Sequence, residues 1–235
     1  MKLTIIIPLF NEKNTILELL NLIEKQITIK KQIIIVNDCS EDASLELISS
    51  FAFLSEYLIL NHQKNMGKGA CIHTAKKYIN GDIVIIQDAD LEYNPEDYHK
   101  LIKPIFDNNS NVVYGSRVLG RNRYLNKNFT SLIRIFINHL LTLFSNFINN
   151  QNLTDAHTCY KACRASVFEK IDLFENGFSF CPEFTSKVSN LNEKIIEVPI
   201  DYHGRTYAEG KKIKATDGIA AILALLKYGF LGKNK

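Results

Sequence analysis

The sequence predicts an α/β fold, a mostly parallel central sheet with helices on both faces. Three observations carry this. Short apolar runs such as Ile5-Ile6-Ile7, Ile33-Ile34-Ile35-Val36 and Ile83-Val84-Ile85-Ile86 show no polar alternation, as strands buried on both faces do. The runs alternate with stretches of helical period. Polar residues collect where the runs stop: Asn11 and Glu12, Asp38, Asp88 and Asp90, Ser116 and Arg117. In open α/β sheets that edge is where ligands bind.

Taken in order, Leu3 to Leu9 reads as a buried strand and Thr15 to Gln26 as a helix with Ile16, Leu19, Leu20 and Ile23 on one face. A second strand is expected over Gln32–Val36, a short helix from Glu41 to Ser50 and a third strand over Tyr57–Leu60. Asn65-Met66-Gly67-Lys68-Gly69-Ala70 then leads into a helix reaching Tyr78. The fourth strand, Ile83–Ile86, runs into two carboxylates one residue apart. Pro95 and a helix from Glu96 to about Phe106 follow, then a fifth strand over Val112–Ser116. In the last third, strands are expected over Thr158–Arg164 and Ile195–Tyr202. Helices are expected from a Ser166 cap to Ile171, over Phe184–Leu191, and from an Asp217 cap to about Tyr228.

Phe129 to Ile148 is a different object. Phe129, Leu132, Ile133, Phe136, Leu140, Leu143, Phe144 and Phe147 share helical spacing, broadened by Ile135, Ile137, Leu141 and Ile148, while Ser131, Arg134, Asn138, Thr142 and Ser145 line another face. Periodicity alone favours a helix packed on the core, with a helix lying on a membrane surface as the alternative.

Composition narrows the function. The chain has 235 residues, 46% hydrophobic and 23% charged, ordinary for a globular protein. A net charge of +3 is too small to argue for nucleic acid. No acid occurs from Asn108 to Thr154, where Arg117, Arg121, Arg123, Lys127 and Arg134 fall; that segment favours phosphates or an anionic membrane surface. Five cysteines without a CxxC pair suggest a reduced, cytoplasmic protein. No apolar run reaches the ~18 residues of a spanning helix. The expected location is therefore the cytoplasm.

The carboxylates Asp88, Asp90 and Glu92 follow the fourth strand. In an extended segment residues i and i+2 point the same way, so the three are expected to converge beyond the sheet edge. Hard oxygen ligands of this kind suit Mg²⁺ or Mn²⁺; the alternative is a solvated acidic turn. GxxxxGK[ST] is absent and no GxGxxG follows the first strand, which argues against a Walker A site and a Rossmann dehydrogenase.

In combination the motifs resemble a known family. Ile-Ile-Ile-Pro-Leu-Phe-Asn-Glu at 5–12, Val-Asn-Asp-Cys-Ser at 36–40, Asn-x-Gly-Lys-Gly at 65–69, Asp-Ala-Asp at 88–90 and Gly-Ser-Arg at 115–117 resemble the ordered motifs of family 2 glycosyltransferases of GT-A fold. The segments 154–164 and 205–212 are similar to the branch that makes polyprenyl-phosphate sugars, of which dolichol-phosphate mannosyltransferase is the best known. The resemblance implies one domain over 1–235, with a nucleotide-binding half to about 117 and an acceptor- and membrane-facing half from about 118. It implies that Pro8, Phe10, Asn11 and Glu12 line the nucleotide site, Asp38 meets the base and Lys68 lies near the donor. Asp88 and Asp90, with Glu92 if it ligates, would hold the metal bridging the diphosphate. Arg117, Arg134 and Arg205 would converge on the acceptor phosphate, and the 129–148 helix would lie at the membrane.

Two departures stand out. The branch often has Gln where Glu92 stands, and small residues where His157-Thr158-Cys159 stand. Some members also carry membrane helices after the catalytic domain. This chain shows none up to Lys235, so it is expected to be peripheral or to recruit a separate membrane protein.

The function implied is transfer of a hexosyl group, with inversion, from a GDP- or UDP-sugar to a dolichyl or undecaprenyl phosphate. Transfer to a glycan hydroxyl is the alternative; it needs a base, for which Asp155 is the candidate and Glu183 a weaker one. A silent nucleotide- or lipid-binding module is a third reading.

Overall fold

A strand apolar on both faces is stable only with cover on both sides, and the chain builds that arrangement. The computed structural model describes residues 1–26, 28–120, 129–205 and 215–234, with the side chains of 129–131, 134, 215, 233 and 234 outside the description. The strands are β1 (Leu3–Leu9), β2 (Lys31–Asn37), β3 (Glu56–Asn61), β4 (Ile83–Ile86), β5 (Val112–Ser116), β6 (Lys161–Arg164) and β7 (Ile195–Pro199). The helices are α1 (Ile16–Glu24), α2 (Ser44–Ser50), α3 (Lys68–Lys76), α4 (Tyr98–Phe106), α5 (Phe129–Asn149), α6 (Ala165–Glu169), α7 (Phe180–Asn190) and α8 (Ala215–Ala224).

The seven strands form one sheet in the order β3-β2-β1-β4-β6-β5-β7. β1 runs parallel to β2 and β4, β2 to β3, and β5 to β7; β6 is antiparallel to both β4 and β5. The expected mostly parallel sheet is present, with one reversed strand. Ile5, Ile6, Ile7, Ile33, Ile34, Ile35 and Ile85 are fully buried.

The strand order positions the site. The chain leaves β1 for β2 on one side and later returns to β4 on the other. That reversal opens a crevice at the carboxyl ends of the strands. The β1–β4 ladder stops at Ile6↔Ile86, whereas β1 and β2 stay paired out to Leu9↔Asn37. Beyond the end of β4 there is thus room for the chain to turn, and residues 88–92 do so.

Several boundaries move from the sequence expectation. α2 starts at Ser44 rather than Glu41, and a 3-10 turn, Pro95–Asp97, precedes α4 with the Asn94 side chain accepting from the Glu96 amide. α7 starts at Phe180; Pro182 falls in its first turn, where a missing N–H costs no intrahelical bond. Ser166 and Asp217 lie inside α6 and α8 rather than capping them. β6 and β7 are shorter than expected, although Tyr202 still forms an isolated bridge with Tyr93.

α5 is inverted relative to a core helix. Its polar stripe faces inward: Thr142, Ser145 and Asn149 are buried. Thr142 Oγ1 accepts from the Ala156 amide at 3.3 Å, and Asn146 both donates to the Leu153 carbonyl and accepts from the Leu153 amide, at 2.8 and 2.9 Å. Most of its apolar stripe faces outward, with Phe136 62%, Leu143 65% and Phe147 86% exposed, while Leu141 and Ile148 are buried. Core packing of this stripe, the reading periodicity favoured, is not what the chain adopts; hydrogen bonds to segment 153–156 decide which face turns in. α8 contacts α5 and α7 and also leaves Ile219 and Leu223 exposed. Among the described residues no helix is long and apolar enough to cross a membrane.

Candidate active site

The site is built from loops at the carboxyl ends of β1, β2, β4 and β5. After β4 the extended geometry ends. Ala89 and Asp90 form a turn and Leu91 takes a left-handed conformation, φ 60°. The i, i+2 alternation therefore does not reach Glu92. Its carboxylate accepts from the Tyr202 hydroxyl at 2.7 Å and from the Arg205 amide at 2.6 Å. The expected convergence of Asp88, Asp90 and Glu92 is thus corrected: Glu92 turns to the 202–205 segment.

Asp88 and Asp90 each face a side-chain cation. The Lys68 ammonium donates to Asp88 and lies 3.0 Å from Cys159 Sγ. Burial alone would pull Lys68 down, but Asp88 beside it more than offsets this and keeps it charged. Asp90 accepts from Arg205 at 3.0 Å. Burial, with Asp88 and Glu92 nearby, pushes the Asp90 carboxyl up to about 7. Glu12 is buried and receives the Arg205 guanidinium in a fork, at 2.9 and 3.0 Å. Three carboxylates (Glu12, Asp88, Asp90) thus meet two cations, Lys68 and Arg205. An oxygen-only donor set with excess negative charge fits a hard divalent ion.

Asp38, expected to meet the base, holds the loop that leads into α3. It is buried; Oδ1 accepts from the Met66 amide at 2.8 Å and lies 2.7 Å from His62 Nδ1, and Oδ2 accepts from the Gly67 amide at 2.7 Å. Gly67 has φ +96°, which favours glycine. Asp38 thereby fixes the loop leading into α3. Asp38, His62 and Cys71 also bring their ligand atoms within 4.8 Å of one another. Yet His62 Nε2 is 2.9 Å from Thr74 Oγ1, and burial holds the Cys71 thiol well above its usual range, so the set reads as a hydrogen-bonded cluster. Gly69 serves packing: a Cβ there would fall 1.9 Å from the Glu175 carbonyl oxygen.

Pro8 lies within β1, Phe10 and Asn11 just after it. Asn11, φ 52°, accepts from the Glu41 amide at 2.8 Å through its side chain and so ties the ends of β1 and β2 together.

The segment that follows β5 is organised by a buried ion pair. Arg117, at the end of β5, gives Asp155 its Nε at 2.7 Å, its Nη2 at 2.8 Å and its backbone amide at 3.1 Å. Both residues are buried. Glu197 on β7 accepts from the Thr154 and Asp155 amides at 2.7 and 2.8 Å, and α5 holds the same segment from the other side. Glu183 is also committed: it accepts from the Phe174 and Glu175 amides, both at 2.8 Å, and from Lys187 at 2.7 Å.

Arg117 is held by Asp155, Arg205 by Glu12 and Asp90, and the Arg134 side chain lies outside the described residues, as do the basic residues at 121, 123 and 127 and the lysines at 211, 212 and 214. Sequence reasoning missed His62, Cys159, Tyr202 and Glu197. His62 directly follows β3, so the strand-end rule would have marked it; the other three carried no local signal.

Comparison with known proteins agrees with this architecture. The pattern described as "Glycosyl transferase family 2" matches residues 4–172. The chain is 27% identical over 214 residues to the dolichol-phosphate mannosyltransferase of Pyrococcus furiosus, covering 90% of this chain and 59% of that protein. It is 27% identical over 245 residues to a dolichyl-phosphate beta-glucosyltransferase of Trichomonas vaginalis, covering 96% of this chain and 72% of that one. Its fold is similar to glucosyl-3-phosphoglycerate synthase from Mycobacterium tuberculosis, solved with Mn²⁺, UDP and glucosyl-3-phosphoglycerate. There the TM-score is 0.72 at 14% identity, over 97% of this chain and 80% of that one. The chain therefore has the GT-A architecture and belongs to glycosyl transferase family 2 as a glycosyltransferase.

Proposed function

We propose that the protein transfers a hexosyl group from a nucleoside diphosphate sugar to a polyprenyl phosphate, with inversion and with a divalent metal. The observation that carries the acceptor is the state of the two candidate bases. A hydroxyl acceptor needs a base, yet Asp155 is locked onto Arg117 and Glu183 onto Phe174, Glu175 and Lys187. A phosphate is already anionic and needs positioning and charge stabilisation instead. The names of the Pyrococcus and Trichomonas relatives support the same acceptor.

In this reading one phosphate oxygen forms the new bond to the anomeric carbon as the bond to the donor diphosphate breaks on the opposite face. The departing nucleoside diphosphate keeps the electron pair. A divalent ion at Asp88 and Asp90 would supply charge neutralisation on that diphosphate. Lys68 lies beside the pair to meet donor oxygens, and Asp155 orients Arg117. The test incubates the protein with UDP- and GDP-hexoses, Mg²⁺ or Mn²⁺, and either short polyprenyl phosphates or oligosaccharides. A sugar–phosphate–prenyl product by chromatography is expected. Transfer to the oligosaccharide alone would overturn the acceptor.

We also infer a peripheral place on the cytoplasmic face of a membrane, supported by the outward apolar stripe of α5. Arg121, Arg123 and Lys127 precede it in sequence and would add attraction of about 1 kcal/mol each near an anionic leaflet. In vesicle sedimentation, binding should be stronger to anionic than to neutral liposomes and weaken with salt. Phe136→Asp with Phe147→Asp should reduce it severalfold. Equal, negligible binding to both vesicle types would reject the assignment.

A further inference from the structure

Arg205 stands on oxygens that a metal would need. Its guanidinium spans Glu12 and Asp90, with the Asp90 contact at 3.0 Å. Its Nε is buried without a hydrogen-bond partner among the described residues, so one donor remains unused in this pose. The stem of its segment is pinned separately. Glu92 takes the Arg205 amide and the Tyr202 hydroxyl through its side chain, and its carbonyl accepts from the His203 amide at 3.0 Å. The guanidinium can therefore leave Asp90 while the backbone stays in place.

A divalent ion bound to Asp90 would weaken the contact of that carboxylate with the guanidinium, because like charges at that separation repel. We propose that Arg205 is an internal counter-cation that competes with the divalent ion for Asp90, so that metal binding releases its guanidinium to a phosphate oxygen of a substrate. Glu92 is then a positioning residue: it holds the stem from which Arg205 swings. This rests on the metal assignment to Asp88 and Asp90 proposed above. The consequence is an order of events: the ion at the donor side readies an arginine for an anion.

The test is Mn²⁺ binding to the full chain with no nucleotide or acceptor, read from the free-ion electron paramagnetic resonance signal. Arg205→Met should bind Mn²⁺ about tenfold more tightly, the scale of one charge-assisted hydrogen bond removed from competition. Arg205→Lys keeps the charge and should stay near wild type, and circular dichroism of both checks the fold. Asp90→Asn should lose binding. Unchanged or weaker Mn²⁺ affinity in Arg205→Met, with Asp90→Asn impaired, overturns the exchange and leaves the metal assignment standing. Wild-type affinity in Asp90→Asn overturns the metal assignment itself. A calorimetric arm identifies the anion: affinity for farnesyl phosphate and for UDP or GDP is measured with and without Mn²⁺. Loss of the Mn²⁺-dependent gain in Arg205→Met for farnesyl phosphate places the released guanidinium on the acceptor; loss for the nucleotide places it on the donor. If neither gain depends on Arg205, the release is overturned.

Discussion

Asp88→Asn is expected to lower sugar transfer by roughly 10³-fold, about 4 kcal/mol of transition-state stabilisation, with the fold retained. The carboxylate lies just past β4, where its partner is Lys68 rather than a core group, so removing its charge leaves β1, β2 and β4 intact. In the proposed function it removes one of two hard ligands for an ion that would neutralise the leaving diphosphate, a contribution of several kcal/mol. Asparagine keeps the shape and one oxygen, which separates charge from volume. Turnover should be measured across Mn²⁺ concentrations, with the denaturant midpoint of the same preparation. Metal-independent turnover near that of wild type would sink the metal role. A large drop in the midpoint would instead make Asp88 a structural residue.

How much of this was legible depended on how local the cause was. β1, β2, β4 and β5 could be read because double-sided burial writes itself as an apolar run. Asp88 and Asp90 could be read because they directly follow such a run. Glu92 could not: its direction turns on Leu91 entering the left-handed region, which no residue-type rule requires of leucine. In α5 the 3.6-residue period gave the stripe but not its direction. Inward placement of Thr142 and Asn146 comes from bonds to Ala156 and Leu153, which composition does not record. Pairings over long separations were the least legible. Arg205 meets Glu12 across 193 positions, a pairing that no local pattern announces. β6 was found as a strand, but its antiparallel insertion between β4 and β5 is a matter of topology that its four residues do not encode.

The Arg117–Asp155 pair should show the largest effect on stability. Asp155→Ala is expected to destabilise the fold by about 3–5 kcal/mol, because it strands a buried guanidinium without its counter-charge. That is a large share of the roughly 5–15 kcal/mol that separates folded from unfolded states in typical domains. The geometry supports the upper part of the range. Asp155 receives both Nε and Nη2 of Arg117 and the Arg117 amide, so three donors lose their acceptor at once. The cost is of leaving a charge unpaired rather than of losing a favourable contact, and this distinction can be measured. Removing both partners, Arg117→Met with Asp155→Leu, should recover much of the loss, since an apolar pair of similar volume carries no desolvation penalty. Transfer should remain strongly reduced in the double variant, because in the proposed function Arg117, oriented by Asp155, serves the acceptor. Urea midpoints for the two single variants and the double variant supply the cycle. If the double variant is as unstable as the sum of the singles, the pair contributes through its packing and backbone bonds, and its charges are not what holds this part of the fold together.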